Sequence, residues 1–330
     1  MDRETRRFWF SLLNKERRAN KLQNNGKLHQ KITSELVATL RPEFRSELIQ
    51  INLFGSRILC LAGPDSDLDI YVDIDNSSTI YSLTVTDKVL HEEEVITKAL
   101  QNNRSMWAFL KKSGGKCPVI VVRHKNSNVQ CDINFTNSLT YGQNKLVIYI
   151  FELQPVARLM VIYLRGWAEK HQIKSVFRSH LLVLMVIFFL QVRGYLPSVF
   201  QLQRGINPDI GPWITTFCKL KLSDFKMMKI PLNADQTHKK LAEFFSYYST
   251  FNFSRIICPY LGREVWRSKL KYSMPQRCRQ FVGQKIFANS PVAMQDLVHL
   301  AFNKGASIQQ SDLDGFLQKC RSETYGFFNL

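Results

Sequence analysis

The chain reads as an α+β protein: a small mixed-sheet unit over about residues 32–144, with helical sequence before it (1–31) and after it (145–330). Three observations predict this. Short β-patterned runs with turn chemistry cluster between residues 50 and 135. Within them, Leu68 to Ile74 alternates acidic and apolar side chains, as a half-buried strand does. From about residue 145 the pattern changes to long stretches with helical periodicity.

Taken in order, residues 3–20 and 28–41 predict helices. Residues 50–54 predict a short strand that ends at Gly55-Ser56, with a short helix at Arg57–Leu61. Residues 68–74 predict a second strand and 87–101 a helix. PVIVVRHKNSNVQCDINF predicts a hairpin, with strands at Val119–Arg123 and Val129–Phe135 and the turn at Lys125–Asn128. Helices are then expected at 145–171, 179–193, 207–219, 235–249, 291–302 and 310–321.

Composition narrows the function. The sequence carries 45 Lys and Arg against 27 Asp and Glu, a net charge of +18. Such an excess favours a polyanionic partner, nucleic acid above all. The positive charges are spread along the chain, which suits a folded groove better than a disordered tail. Seven cysteines, with no CxxC spacing, argue for free thiols in a reducing compartment rather than disulfides or structural zinc. The charged N-terminal stretch is unlike a secretory signal, and the apolar run Leu181–Leu190 is too short to span a bilayer. The expectation is a soluble cytoplasmic protein.

Against that charge, INLFGSRILCLAGPDSDLDIYVDID gathers five aspartates. On a strand, positions i and i+2 share a face, so Asp67 and Asp69 project side by side. Two bare carboxylates so placed repel each other unless one is protonated or a cation lies between them. Oxygen donors without His or Cys suit Mg²⁺ or Mn²⁺. Asp132 stands in an apolar strand, where an acid is costly unless paired or metal-bound, and is the expected third carboxylate. The Gly55-Ser56 turn offers backbone N–H groups and a hydroxyl to an anion such as a triphosphate. The inferred chemistry is attack of a hydroxyl on an α-phosphate with pyrophosphate leaving. Asp65, Asp73 and Asp75 read as structural, with Asp75 closing the strand.

Gly-Ser, a ten-residue spacer, Asp67-Leu68-Asp69 and the later Asp132 resemble the DNA polymerase β-type nucleotidyltransferase superfamily. FTNSLTYGQNK, YLRGWAEKHQIKS, SHLLVLMVIFFLQ and LAEFFSYYSTFNFSRIICPYLGRE resemble segments of noncanonical poly(A) polymerases and terminal uridylyltransferases. The resemblance covers most of residues 50–300. It implies a nucleotidyltransferase domain with a small mixed sheet, and a mostly helical central, poly(A)-polymerase-associated domain. It implies Asp67, Asp69 and Asp132 as catalytic and metal-binding, and Ser56 and Ser179 as triphosphate contacts. Asn144 would reach the nucleotide sugar, and Arg165 stands where the family has a phosphate-binding Lys. His180 stands where the family stacks a Tyr on the base. Glu169 replaces a second family Lys, whose charge Lys170 or Arg178 would supply. Gln295 or a neighbour falls where the family has a base-selecting His. The implied reaction is untemplated, Mg²⁺- or Mn²⁺-dependent addition of UMP from UTP to the single-stranded 3′ end of RNA by a monomer, with no membrane partner. ATP is the alternative nucleotide, and a small-acceptor transferase, a double-stranded RNA sensor and an inactive RNA scaffold are the rivals.

Among the other residues, His124 and Cys131 flank the hairpin turn and Asp132; a solvated His is the simpler reading of the first. Leu241, Phe244, Phe245 and Tyr248 follow core spacing on a helix, and Tyr247 faces elsewhere, free for a ligand. Trp167 and Trp213 read as core. Arg158 and Arg165 share a helix face.

Overall fold

The computed structural model describes residues 2–76, 81–82, 85–114, 118–136 and 138–328. Cys117, and Asn137 of the FTNSLTYGQNK segment, lie outside these. The chain divides into two compact units, Glu16–Lys145 with Pro208–Gly211, and Met1–Lys15 with Leu146–Asn207 and Pro212–Leu330.

The first unit is a five-stranded sheet backed by helices. After α1 (Arg3–Gln23) and α2 (Gly26–Leu40) come β1 (Ile49–Phe54), the one-turn α3 (Gly55–Ile58), β2 (Leu68–Ile74), α4 (Asp87–Asn102), β3 (Trp107–Ser113), β4 (Val119–His124), β5 (Val129–Asn134) and α5 (Leu139–Leu153). The strand order is β1-β2-β5-β4-β3. β2 and β5 run parallel, and the other pairs are antiparallel. Period-two alternation decides which way each side chain points. Leu68, Ile70, Val72 and Ile74 turn inward with Ile120, Val122, Cys131 and Ile133, against Ile32, Leu36 and Leu40 of α2 and Ile96 and Leu100 of α4. Each fully buried aliphatic there contributes roughly 1.5–3 kcal/mol. The alternate residues Asp69, Tyr71 and Asp132 are left for the other face, where Tyr71 stacks on Tyr141 of α5 with ring centroids 6.3 Å apart. Asp75 closes β2 in a left-handed conformation (φ 55°), its Oδ1 accepting from the Leu48 N–H at 2.8 Å.

β3 has no counterpart among the strands expected from sequence. It is a sheet edge whose outer half is exposed and carries Lys111 and Lys112, so it lacks the alternation that marks a half-buried strand. His124 also differs from expectation. It is fully buried rather than solvated, its Nδ1 2.7 Å from Ser127 Oγ, its Nε2 against Glu35, and its ring beside Trp107. Cys131 is core.

The second unit is built on α6 (Val156–Lys170), α7 (Ser179–Val192), the short α8 (Val199–Leu202), α9 (Ala234–Ser249), the single turns α10 (Leu270–Ser273) and α11 (Gln284–Ala288), and α12 (Gln310–Phe328). α7 is apolar on every side, Leu181 to Gln191 being buried without a break, because it is surrounded. Leu241, Phe244, Phe245 and Tyr248 are all fully buried, and the Tyr248 hydroxyl donates to Met185 O at 2.8 Å. Trp167 and Trp213 are core as expected. Tyr247 packs its ring on Phe189 and beneath the Arg193 guanidinium, so it serves the core rather than standing open.

Three expected helices come out differently. The stretch 145–171 is two helices, α5 and α6, bent by 112° where Pro155 removes a backbone donor. Buried Gln154 fills that break: its Nε2 donates to Tyr195 O and Met228 O, and its Oε1 accepts from the Ile230 N–H. Residues 207–219 are irregular, interrupted by Pro208 and Pro212 with Gly211 at φ 54° between them. Residues 291–302 form a strand and turns. β8 (Ala293–Met294) joins β6 (Arg255–Ile257) and β7 (Val265–Trp266) in the order β7-β6-β8. Asp296 Oδ1 then accepts from the N–H groups of Val298 and His299, a local competitor of the helix. Among the described residues no single helix is long and apolar enough to cross a membrane. The six described cysteines are free thiols.

Arg267 holds this small sheet's periphery. Its guanidinium donates to the carbonyls of Ser254, Phe253, Phe287, Ala288, Ser290 and Pro291 at 2.6–3.2 Å. Arg267→Lys, with one nitrogen in place of three, is expected to cost about 3 kcal/mol by leaving carbonyls unpaired. Urea unfolding checks this; a loss under about 0.5 kcal/mol, the range of ordinary surface substitutions, would refute the role.

Candidate active site

The first unit's strand register assembles the acidic cluster. Asp69 on β2 is the cross-strand partner of Asp132 on β5, in parallel pairing, so both carboxyls project from one face. Asp67 lies one residue ahead of β2. The same row continues through Val121 of β4 to Lys111 of β3, and on the other side to Phe54 of β1. Glycine at position 55 is a geometric necessity. Its φ is +76°, and a Cβ built there would lie 1.8 Å from Asp69 Oδ2 and 2.4 Å from Asp69 Cγ. Any side chain would evict the carboxylate.

Two residues lock that turn. Asn144 of α5 is buried and accepts the Gly55 N–H on its Oδ1 at 3.0 Å. Arg57, 5% exposed, donates from Nε to Ser66 O (2.9 Å) and Asp67 O (3.1 Å) and from Nη2 to Ser66 O (2.6 Å). It therefore ties α3 to the segment that delivers Asp67. The Ser56 N–H donates to the Asp69 carboxylate.

The electrostatics record what this arrangement costs. Burial, and then the charges of Asp67 and Asp132, push Asp69 up to about 7. Burial and the Asp67 carboxyl also raise Asp132, opposed by a hydrogen bond from Gln130 Nε2 at 3.0 Å and by Lys111. Among the described residues no group of three His, Cys, Asp or Glu side chains is arranged to hold an ion as it stands. The cluster nonetheless fits a divalent cation by its chemistry. Its donors are all carboxylate oxygen, it is short of positive charge, and Arg57 nearby is engaged by backbone carbonyls.

The remaining predicted residues lie in the second unit. Arg165 is on α6, and Lys15 of α1 brings its Nζ within 2.5 Å of where a Gly166 Cβ would be. Lys15 and Arg165 both act on Glu169, whose carboxylate is bridged to Lys174 at 2.8 Å. Lys15 is thus a cation at this patch that sequence spacing could not reveal, because it comes from α1. Ser179 and His180 open α7, following Arg178 in extended conformation. Desolvation, with Lys304 and Arg178 nearby, lowers the His180 imidazole, so it is neutral at pH 7.

Gln295 requires a correction. It is fully buried, its Nε2 donating to Leu300 O (2.8 Å) and Met274 Sδ (3.1 Å), its Oε1 accepting from Cys258 Sγ (3.0 Å). No donor or acceptor remains for a base edge. The loop that carries it does lie beside His180, which feels Asp296 and Lys304. What that loop exposes is Phe302, 47% exposed, with the Lys304 ammonium 4.9 Å above its ring. The Asp-turn of Asp296 reverses the chain there, so linear spacing misassigned the outward position.

A raised carboxyl pKa has a definite stability signature. The unfolded Asp loses its proton near 3.8, the folded Asp69 near 7, so its contribution to stability declines as pH rises through that window. In chelator, Asp69→Asn is expected to gain stability over the wild type from about pH 4 upward, with the gap level above about pH 7. Denaturant melts across pH measure it; a gap that does not change with pH would show that Asp69 titrates normally.

Residues 11–152 match the family model described as Poly(A) RNA polymerase, mitochondrial-like, central palm domain. The mitochondrial poly(A) RNA polymerase of Homo sapiens is 22% identical over 318 residues, 89% of this chain and 51% of that protein. The speckle targeted PIP5K1A-regulated poly(A) polymerase of Bos taurus is 26% identical over 212 residues, 62% of this chain and 23% of that protein. The chain spans about half the length of the mitochondrial relatives it matches. Among solved structures, mtPAP in complex with UTP superposes with a TM-score of 0.72 at 20% identity, covering 95% of this chain and 68% of that one. A cytoplasmic RNA terminal U-transferase superposes at 0.66 and 18% identity, covering 94% and 93%. The fold is therefore that of the polymerase β-type nucleotidyltransferases, and the part of the chain that carries the acidic cluster is similar to the palm domain of mitochondrial-like poly(A) RNA polymerases.

Proposed function

We propose that the protein is an RNA terminal nucleotidyltransferase that adds nucleoside monophosphates, without a template, to the 3′ hydroxyl of single-stranded RNA. The observation that carries this is the register pairing of Asp69 with Asp132, beside Asp67 and under the Gly55-Ser56 turn. In the reaction the RNA 3′ oxygen bonds to the α-phosphorus of a nucleoside triphosphate and the bond to pyrophosphate breaks. Asp67, Asp69 and Asp132 would hold Mg²⁺ or Mn²⁺, which supplies charge neutralisation at the phosphates and activation of the hydroxyl. Gly55 gives the Asp69 carboxylate its room, Asn144 and Arg57 hold the turn, and Ser56 offers its hydroxyl to the triphosphate. In the helical unit, Arg165 and Ser179 serve the triphosphate and neutral His180 stacks on the base. The net charge of +18 supports RNA as the acceptor over a small molecule.

UTP is the nucleotide we assign, on the resemblance to terminal uridylyltransferases and the fold likeness to a cytoplasmic RNA terminal U-transferase. A second reading, ATP, draws on the names of the relatives, which are poly(A) polymerases. The same reading takes the protein as a cytoplasmic monomer without a membrane partner; its free thiols suit a reducing compartment.

Extension of a labelled single-stranded RNA with Mg²⁺ and each nucleotide in turn tests the proposal. A ladder with UTP is expected; a ladder with ATP alone would replace the first reading by the second, and none with any nucleotide would refute transfer to RNA. Asp132→Ala is expected to abolish extension while RNA binding and the melting temperature persist. Gly55→Ala should lower extension by about 100-fold or more, because it displaces a catalytic carboxylate by over an ångström; activity near that of the wild type would remove the close approach to Asp69 from the mechanism.

A further inference from the structure

The helical unit contains a solvent-open cavity of about 480 Å³ that shares no residue with the site above. Its chemistry is one-sided. Arg204, Arg277 and Arg279 line it together with Phe200 and Tyr272, and no carboxylate does. All three arginines are exposed, and among the described residues none forms a salt bridge. Their positions are nonetheless set by backbone. Arg277 Nε donates to Pro212 O at 3.0 Å, and Arg279 donates from Nε to Met274 O at 3.1 Å and from Nη2 to Tyr272 O at 3.4 Å. Anchoring each guanidinium by one edge leaves other N–H groups to face an anion, with part of the ordering entropy already spent in the free protein.

The aromatic side chains complete the pattern. Tyr272 is 65% exposed and Phe200 48% exposed. Phe200 rests edge-to-face on Tyr260, 5.8 Å away, which fixes its ring. Exposed rings beside guanidinium groups that have no carboxylate partner suit a ligand that is both planar and anionic. Single-stranded nucleic acid is such a ligand, combining phosphates for arginines with base faces for rings. The volume falls within the range of small-ligand pockets, enough for about one nucleotide.

We propose that this cavity is an accessory RNA site, taking an internal nucleotide of the single-stranded substrate, with its phosphates on Arg204 and Arg279 and a base on Tyr272. The site rests on the reading of RNA as substrate and adds to it a second anchor, made of residues that take no part in the chemistry. Arg277, tied to Pro212 O and to the Tyr260 hydroxyl, supports the floor.

Binding of a labelled single-stranded RNA of about 20 nucleotides, followed by anisotropy over a salt series, tests it. The wild type must bind; if it does not, the RNA reading itself fails and the cavity is not at issue. Given binding, the double variant Arg204→Glu, Arg279→Glu is expected to lose at least 10-fold in affinity at low salt. Its salt dependence should flatten by about 0.7 for each phosphate that is no longer neutralised. Tyr272→Ala should weaken binding several-fold with the slope unchanged, the mark of missing stacking rather than missing charge. Both variants change exposed side chains, and an unaltered melting temperature confirms the fold. Wild-type affinity and slope in the charge-reversed variant would overturn the proposal. A photocrosslink from 5-iodouridine-containing RNA to Tyr272 would support it independently, and tight binding of a phosphorylated peptide that RNA does not displace would count against it.

Discussion

Everything at the candidate active site depends on one contact: the backbone of Gly55 against the carboxylate of Asp69. Because no Cβ intervenes, the end of β1 can turn beside the middle of the acidic row, and the short α3 can start there. The register of β2 with β5 then brings Asp132 alongside. Asn144 and Arg57 act on the same turn from opposite directions in the chain, one from α5 and one through the loop leading to Asp67. A half-buried concentration of carboxylates results, in a chain that is otherwise strongly positive.

That concentration is unfavourable in itself. Desolvation and neighbouring carboxylates raise both Asp69 and Asp132, which disfavours their charged forms. A folded core strong enough to tolerate the strain is a precondition. It comes from the other face of the same strands, where Leu68, Ile70, Val72 and Ile133 meet α2 and α4. Alternation along a strand thus separates stability from chemistry by single residues: Leu68 and Ile70 are for the core, Asp67 and Asp69 for the site.

Much of this was legible in the sequence. β2 alternates visibly, the hairpin has a clear turn, and three acids in such company have few structural explanations. What sequence could not show were relations between distant segments. Lys15 reaches α6 from the first helix. His124 looks like a turn residue until Glu35 is seen beside it. The stretch 291–302 has helical spacing, yet Ala293–Met294 pairs with β6 and the Asp296 side chain takes two backbone donors, so Gln295 turns inward and Phe302 outward. Prolines explain the other misjudged helices, at 155 and around 208–212, where local breakers outweighed periodicity.

Whether the three aspartates hold the metal is settled by anomalous scattering from a crystal of the protein grown with Mn²⁺ and a non-hydrolysable nucleoside triphosphate. Manganese bound by Asp67, Asp69 and Asp132 is expected, with the triphosphate reaching toward Ser56. A bound triphosphate with manganese held away from all three aspartates would contradict it.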